Sequence, residues 1–221
     1  MLEEYTNQTA LTEVSNREDH DAFKVLISTV LSHRTKDEVT SKASERLFAV
    51  YPNVAGLARG NVKKISTLIY PVGFYRTKAR RVKEIARELQ RKYDGIVPES
   101  MEELLTLPSV GRKTANCVLV YAFQTPAIPV DTHVHRISNR LGLVETKMPE
   151  DTETALTASV DRRYWLEIND LFVRFGQTIC KPIGPRCGIC SLKSECKYYR
   201  EVVAPKLLVS PPRRSGRDKT A

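Results

Sequence analysis

Four cysteines, Cys180, Cys187, Cys190 and Cys196, stand at the spacing C-x6-C-x2-C-x5-C in a short segment broken by Pro182, Gly184, Pro185 and Gly188. Four thiolates this close in sequence can fold around one centre, and both a zinc ion and an iron-sulfur cluster meet that requirement. The spacing alone does not choose between them. Upstream, in LPSVGRKTANC at residues 107–117, a turn runs directly into Arg112 and Lys113, where a helix begins. A helix start carries a partial positive charge and favours carboxylates, so two cations there point to a phosphate partner or to a lysine with chemistry to do. In PVDTHVHR, Asp131 precedes a helical stretch and suits the N-cap, where its carboxylate satisfies free N–H groups. His133 and His135, two apart, face different directions on a helix and do not make a metal pair. Cys117 lies on an apolar run and reads as a small core residue.

The elements that must carry these residues are helical. Residues 21–33 are apolar nearly all round, as a buried helix is, and 37–49 are amphipathic. Over 75–93, Ala79, Val82, Ile85, Ala86 and Leu89 form one stripe, with Arg76, Lys78, Arg80, Arg81, Lys83, Arg87, Arg91 and Lys92 placed largely off it. A run with so few acids is a solvated face or, at its N-terminal end, a phosphate-contacting one. Ser100 and Glu103 form a capping box that opens a short helix ending before Pro108, and Gly111 releases the next, over about 112–124. Further helices are expected at 132–141, 150–160 and 164–179, with no useful two-residue alternation anywhere. The fold class is therefore all-α.

The 221 residues suffice for one large or two small domains, and 41% hydrophobic content is that of a globular chain with a real core. Lys+Arg 35 against Asp+Glu 26 gives a net charge of +9, which suits a polyanion, most simply nucleic acid. The polar, acidic N-terminus lacks the pattern of a secretory signal, and the apolar stretches fall short of a membrane span. A soluble, intracellular, cytoplasmic protein is expected, in which cysteines stay reduced. From residue 200 to 221 the chain reads as a disordered basic tail.

LPSVGRKTAN, VDTHVHR and the cysteine spacing, in that order, resemble the endonuclease III family of DNA glycosylases, the helix-hairpin-helix superfamily with an iron-sulfur cluster loop. The resemblance runs from about residue 20 to residue 199. It implies a [4Fe-4S] cluster on the four cysteines and two helical domains with a DNA cleft between them. The expected division is a six-helix domain at 15–126 and a cluster domain made of 1–14 and 127–199.

The resemblance also implies roles. Lys113 would attack C1' of a damaged nucleotide, expel the base and form a Schiff base that permits β-elimination. Its amine must first lose its proton, and the positive helix start and Arg112 beside it work in that direction. Asp131 would take that proton or stabilise charge developing on the sugar. Backbone N–H groups at Ser109, Gly111 and Arg112 would hold a phosphate. Extruding a base leaves a gap to be filled. Arg34 in LSHRTKD and Phe74 in VGFYRTKA match the gap-filling loops, although Phe74 equally suits ordinary core. Lys181 and Arg186, in the cysteine loop, would reach phosphates. Arg34 replaces the family's usual glutamine and Ser109 its usual glycine, which bears on opposite-base preference and on the hairpin turn. The leading expectation is a monomeric, bifunctional glycosylase and abasic-site lyase acting on oxidised or damaged pyrimidines in duplex DNA. A mismatch-specific glycosylase and a noncatalytic metal-stapled DNA-binding module are the rivals.

Overall fold

The computed structural model describes residues 8–209. Among the described residues there are twelve α-helices and no strand: α1 Ala10–Arg17, α2 Ala22–Ser32, α3 Asp37–Val50, α4 Val54–Arg59, α5 Val62–Ile69, α6 Tyr75–Lys92, α7 Met101–Leu104, α8 Arg112–Tyr121, α9 Thr132–Leu141, α10 Pro149–Ser159, α11 Trp165–Thr178 and α12 Ala204–Val209. None is long and apolar enough to cross a membrane.

The local rules read from the sequence operate as expected at several points. Ser100 Oγ accepts from the Glu103 N–H at 3.2 Å, the N-cap half of the expected capping box of α7, and its hydroxyl donates to the Glu103 carboxylate at 2.7 Å. The α6 stripe of Ala79, Val82, Ile85, Ala86 and Leu89 is fully buried. It packs beneath α4 and α5 and leaves Arg76, Arg80, Arg81, Arg87, Arg91 and Lys92 exposed. Lys78 departs from that pattern, being only 4% exposed. Its ammonium is turned inward onto the end of α2.

The short helices α1, α4 and α5 carry too few turns for periodicity to reveal them. Their caps mark them instead: Thr9 accepts from Thr12, Asn53 from Gly56, and Asn61 from Lys63 and Lys64. Such short segments hold together by packing, and Leu57, Ile65 and Ile69 are fully buried.

Two hydrophobic clusters result. The larger gathers residues from Leu11 to Ala127, including Leu26, Leu47, Ile85, Leu104 and Val118. The smaller is built from Ile128, Val130, Val134, Val144, Leu156 and Ile168. Helix α1 touches both bodies: Leu11 enters the larger core, while Thr9 and Thr12 donate to the Asp170 carboxylate of α11 at 3.1 and 2.6 Å. Helices α9 and α11 cross so closely that a Cβ on Gly176 would stand 2.2 Å from His133 Nδ1.

At the C-terminal end the chain is more regular than expected. A π-helical turn, Tyr199–Val203, leads into α12, so helix continues past residue 200, where the sequence suggests disorder. Pro205 falls where the π-helical turn passes into α12. The Pro-Pro-Arg-Arg stretch of that expected tail lies outside the described residues.

Candidate active site and cysteine loop

Lys113 and Asp131 line the same cleft, of about 400 Å3, together with Ser32, His33, Arg34, Thr35 and Asn169. Each arrives from the start of a helix. The chain turns through Ser109 at φ 62, then through Gly111, which is the N-cap of α8, so that Lys113 is the second residue of that helix. Ser109 thus holds a left-handed conformation that glycine adopts more easily, and the hairpin tolerates its side chain. Gly111 itself has φ −105, and a Cβ there would meet nothing within 4 Å. Among the described residues nothing demands a glycine there. The open space lies in front of the helix start, where a side chain would obstruct an approaching anion.

Asp131 caps α9 as its position suggests. Its Oδ1 accepts from both the His133 and Val134 N–H groups at 2.8 Å, which leaves Oδ2 for other work. Asn169 anchors the preceding strand of chain, donating to the Pro129 carbonyl at 2.8 Å and accepting from Tyr121 at 2.9 Å.

Arg112 does not act as a free cation beside Lys113. Its guanidinium donates to both oxygens of Glu153, at 2.6 and 3.4 Å, and that carboxylate, only 8% exposed, raises its pKa further. Glu153 comes from α10, forty-one residues on, and no local pattern points to it. Cys117 is fully buried one turn beyond Lys113, and burial pushes its thiol up while the neighbouring Lys113 opposes the rise. His33 is held down to about 4, first by burial and then by Lys113, Lys78 and Arg81, so it is neutral at physiological pH.

Arg34 and Phe74 both hold left-handed backbone conformations, φ 51 and 58. Phe74 is 64% exposed and is therefore not core. The two loops interlock: a Cβ on Gly73 would lie 2.5 Å from the Arg34 carbonyl oxygen, and the Gly73 N–H donates to Thr35 Oγ1 at 3.1 Å.

The cysteine loop is held by α9. Arg136 donates to the Cys180 carbonyl through Nε and Nη2 at 3.2 and 2.9 Å. Arg140 donates to the carbonyls of Lys181 and Pro182 at 2.7 and 3.0 Å, approaches Cys180 Sγ at 3.5 Å, and stacks on Tyr198. These arginines are four apart on one helix face, a signal present in VHRISNR but legible only once the loop's position is known. The four cysteines are all free thiols, and their charges raise the pKa of Cys187 after burial has done so. Among the described residues no three His, Cys, Asp or Glu side chains converge as ligands of a single ion. The donor set, four reduced thiols in one another's electrostatic range with arginines alongside, fits a thiolate-held anionic cluster. Lys181 and Arg186 are exposed on this loop. His133 lines the cleft, whereas His135 turns to Thr152 at 2.7 Å, so the pair shares no ligand.

Comparison with known proteins agrees with this architecture. The family profile of the HhH-GPD superfamily base excision DNA repair protein matches residues 27–162. Endonuclease III of Thermotoga maritima is 52% identical over 200 residues, covering 90% of this chain and 94% of that protein. Endonuclease III-like protein 1 of Bos taurus is 45% identical over 80% of this chain, which spans 59% of the bovine protein. Among solved structures, a trapped endonuclease III–DNA covalent intermediate superposes with a TM-score of 0.77 at 33% identity, covering 86% of this chain and 94% of that one. The helix-hairpin-helix start that presents Lys113, the capped Asp131 across one cleft, and this likeness over nearly the whole length place the chain in the endonuclease III family of the HhH-GPD superfamily of base excision DNA repair proteins.

Proposed function

We propose that the chain is a bifunctional DNA N-glycosylase and abasic-site lyase of base excision repair, acting on oxidised or damaged pyrimidines in duplex DNA. The observation that carries the reading is the presence of a lysine at an open helix start and a half-buried carboxylate in one cleft. Asp131 Oδ2, free of cap duty, takes the proton from the Lys113 ammonium. The Lys113 amine then bonds C1' as the glycosidic bond breaks and the base departs with its electron pair. The sugar ring opens to the protonated Schiff base, loss of the C2' proton expels the 3' phosphate, and water releases Lys113. His33, neutral at the cleft wall, places no competing charge on this path.

Phosphate is held by the N–H groups around Ser109, Gly111 and Arg112 and by Lys181 and Arg186 of the cysteine loop. Arg34 and Phe74 fill the space that the extruded nucleotide vacates. Cys180, Cys187, Cys190 and Cys196 hold a [4Fe-4S] cluster, which when bound crosslinks the loop that carries those cations. Of the division into 15–126 and 1–14 with 127–199, the boundary near 127 draws support from the change of hydrophobic cluster between Ala127 and Ile128, while Leu11 of the first segment packs in the larger cluster. A monomer supplies every group required.

The test is borohydride trapping on duplexes containing an abasic site or thymine glycol, with Lys113→Gln alongside. A covalent complex with the native protein and none with the variant supports the reading. Binding without trapping by the native protein overturns it.

A further inference from the structure

Lys78 is a buried cation without a part in the chemistry above. It lies in the first turn of α6, just after Phe74, and is 4% exposed. Its Nζ donates to the Leu31 carbonyl at 2.8 Å, to Thr35 Oγ1 at 3.1 Å and to the His33 carbonyl. These acceptors belong to the end of α2 and to the turn that follows, whose middle residue is Arg34. Its own N–H donates to the Phe74 carbonyl at 3.0 Å. One residue therefore ties down both loops, the Phe74 loop through its backbone and the Arg34 loop through its ammonium.

An amphipathic helix needs no charge at this position. A buried ammonium is costly unless fully hydrogen-bonded, and an apolar side chain would have continued the α6 stripe. What the ammonium offers instead is three donors for three acceptors, and positive charge at the C-terminal end of α2, where the helix dipole favours it. A neutral amine has only two donors, so one of the three contacts fails when the proton leaves.

We infer that Lys78 is a positioning residue for base extrusion: its ammonium fixes the Arg34 turn against the Phe74 loop so that the two enter DNA as one rigid wedge. The inference rests on the glycosylase reading and concerns the opening of duplex DNA alone. Burial, with a smaller contribution from Arg81, holds Lys78 down to about 8, so the clamp weakens as pH rises past that point. The charged and titratable neighbours do not replace it. Arg81 on the same helix repels the ammonium, His33 from α2 is neutral, and Lys113 from α8 acts on that same imidazole. Asp37, at the start of α3, is engaged by Gln177 at 3.0 Å.

The experiment measures, for each protein, the ratio of two rates between pH 6.5 and 9.5: thymine glycol excision from duplex DNA, and cleavage of a single-stranded oligonucleotide carrying an abasic site. The second substrate has no partner strand to open, and a ratio cancels any loss of folded protein. For the native enzyme the ratio should fall about tenfold as pH passes through 8, the scale of one lost hydrogen bond to a charged group. Lys78→Met should show the low ratio at every pH, and Lys78→Arg, which keeps its charge, should abolish the fall. A native ratio flat through pH 8, or a Lys78→Met ratio equal to the native one, overturns the inference, and the native profile serves alone if Lys78→Met does not fold. Native protein that fails on the single strand as well as the duplex would instead overturn the glycosylase and lyase reading.

Discussion

The guanidinium of Arg34 lies 5.9 Å from the centre of the Phe74 ring, so a cation from the turn after α2 rides on an aromatic from the loop before α6. Such a contact contributes about 0.5–1 kcal/mol at an exposed site, little for folding but enough to bias how the two tips sit. Phe74→Ala should leave thermal unfolding within experimental error, because the ring is solvent-facing. Excision from duplex DNA should drop by about tenfold or more, since the unstacking cost of a few kcal/mol is no longer offset. A fall in melting temperature of many degrees would show the ring to be structural instead.

Salt dependence separates the cations. Lys181→Ala and Arg186→Ala should each reduce the slope of log affinity against log salt by about one, on damaged and undamaged duplex alike. Arg112→Ala should change the slope less, because Glu153 already neutralises that guanidinium. Anisotropy titrations across salt concentrations provide the comparison, and an equal slope change for Arg112 would rule out the distinction.

Cys187→Ala should empty the loop. Elemental analysis is expected to give about four iron atoms per native chain and close to none in the variant. DNA affinity should fall with the metal, because the loop that presents Lys181 and Arg186 loses its crosslinks. Stoichiometric zinc in the native chain would replace the cluster assignment.

His33 predicts an acid-side loss of stability. Its folded-state pKa of about 4 lies below the ordinary 6.5, so the unfolded chain takes up the proton first as pH falls. The contribution is fully present above 6.5 and disappears as pH falls to about 4, up to roughly 3 kcal/mol for this single group. Urea unfolding at several pH values, with His33→Gln in parallel, checks this: the variant should lose that part of the pH dependence.

Gly176→Ala should weaken the crossing of α9 and α11, where the added methyl meets His133 and the Arg136 guanidinium. An overpacking penalty of about 1–3 kcal/mol is expected from chemical denaturation. Undiminished stability would mean that His133 swings aside.

The site was legible in sequence where one residue type answers one local demand. Asp131 is a cap, Lys113 is a cation in an anion's place, and the four cysteines fall in one loop; none of these needs tertiary information to be noticed. Phe74 was ambiguous because an aromatic beside a helix suits a core as well as a wedge, and its exposure removes the core reading. Lys78, Glu153, Arg136 and Arg140 were invisible because each earns its meaning from a partner far along the chain. Lys78 even contradicts the local pattern, since periodicity counts a lysine as solvent-facing wherever it falls. The long helices were read from their stripes, whereas α1, α4 and α5 owe their existence to caps and to the surface they rest on.

Helix α9 begins at the Asp131 cap and ends among the arginine contacts to the cysteine loop. Ten residues make a stiff rod about 15 Å long. A tilt of about 4° at the loop end therefore moves the carboxylate end by about 1 Å, a misplacement that can cost about 100-fold in rate. The cysteine loop is in this sense the far arm of a lever whose near arm is the Asp131 carboxylate, and loosening of the arginine contacts to that loop would be felt at the cleft before the chain unfolds.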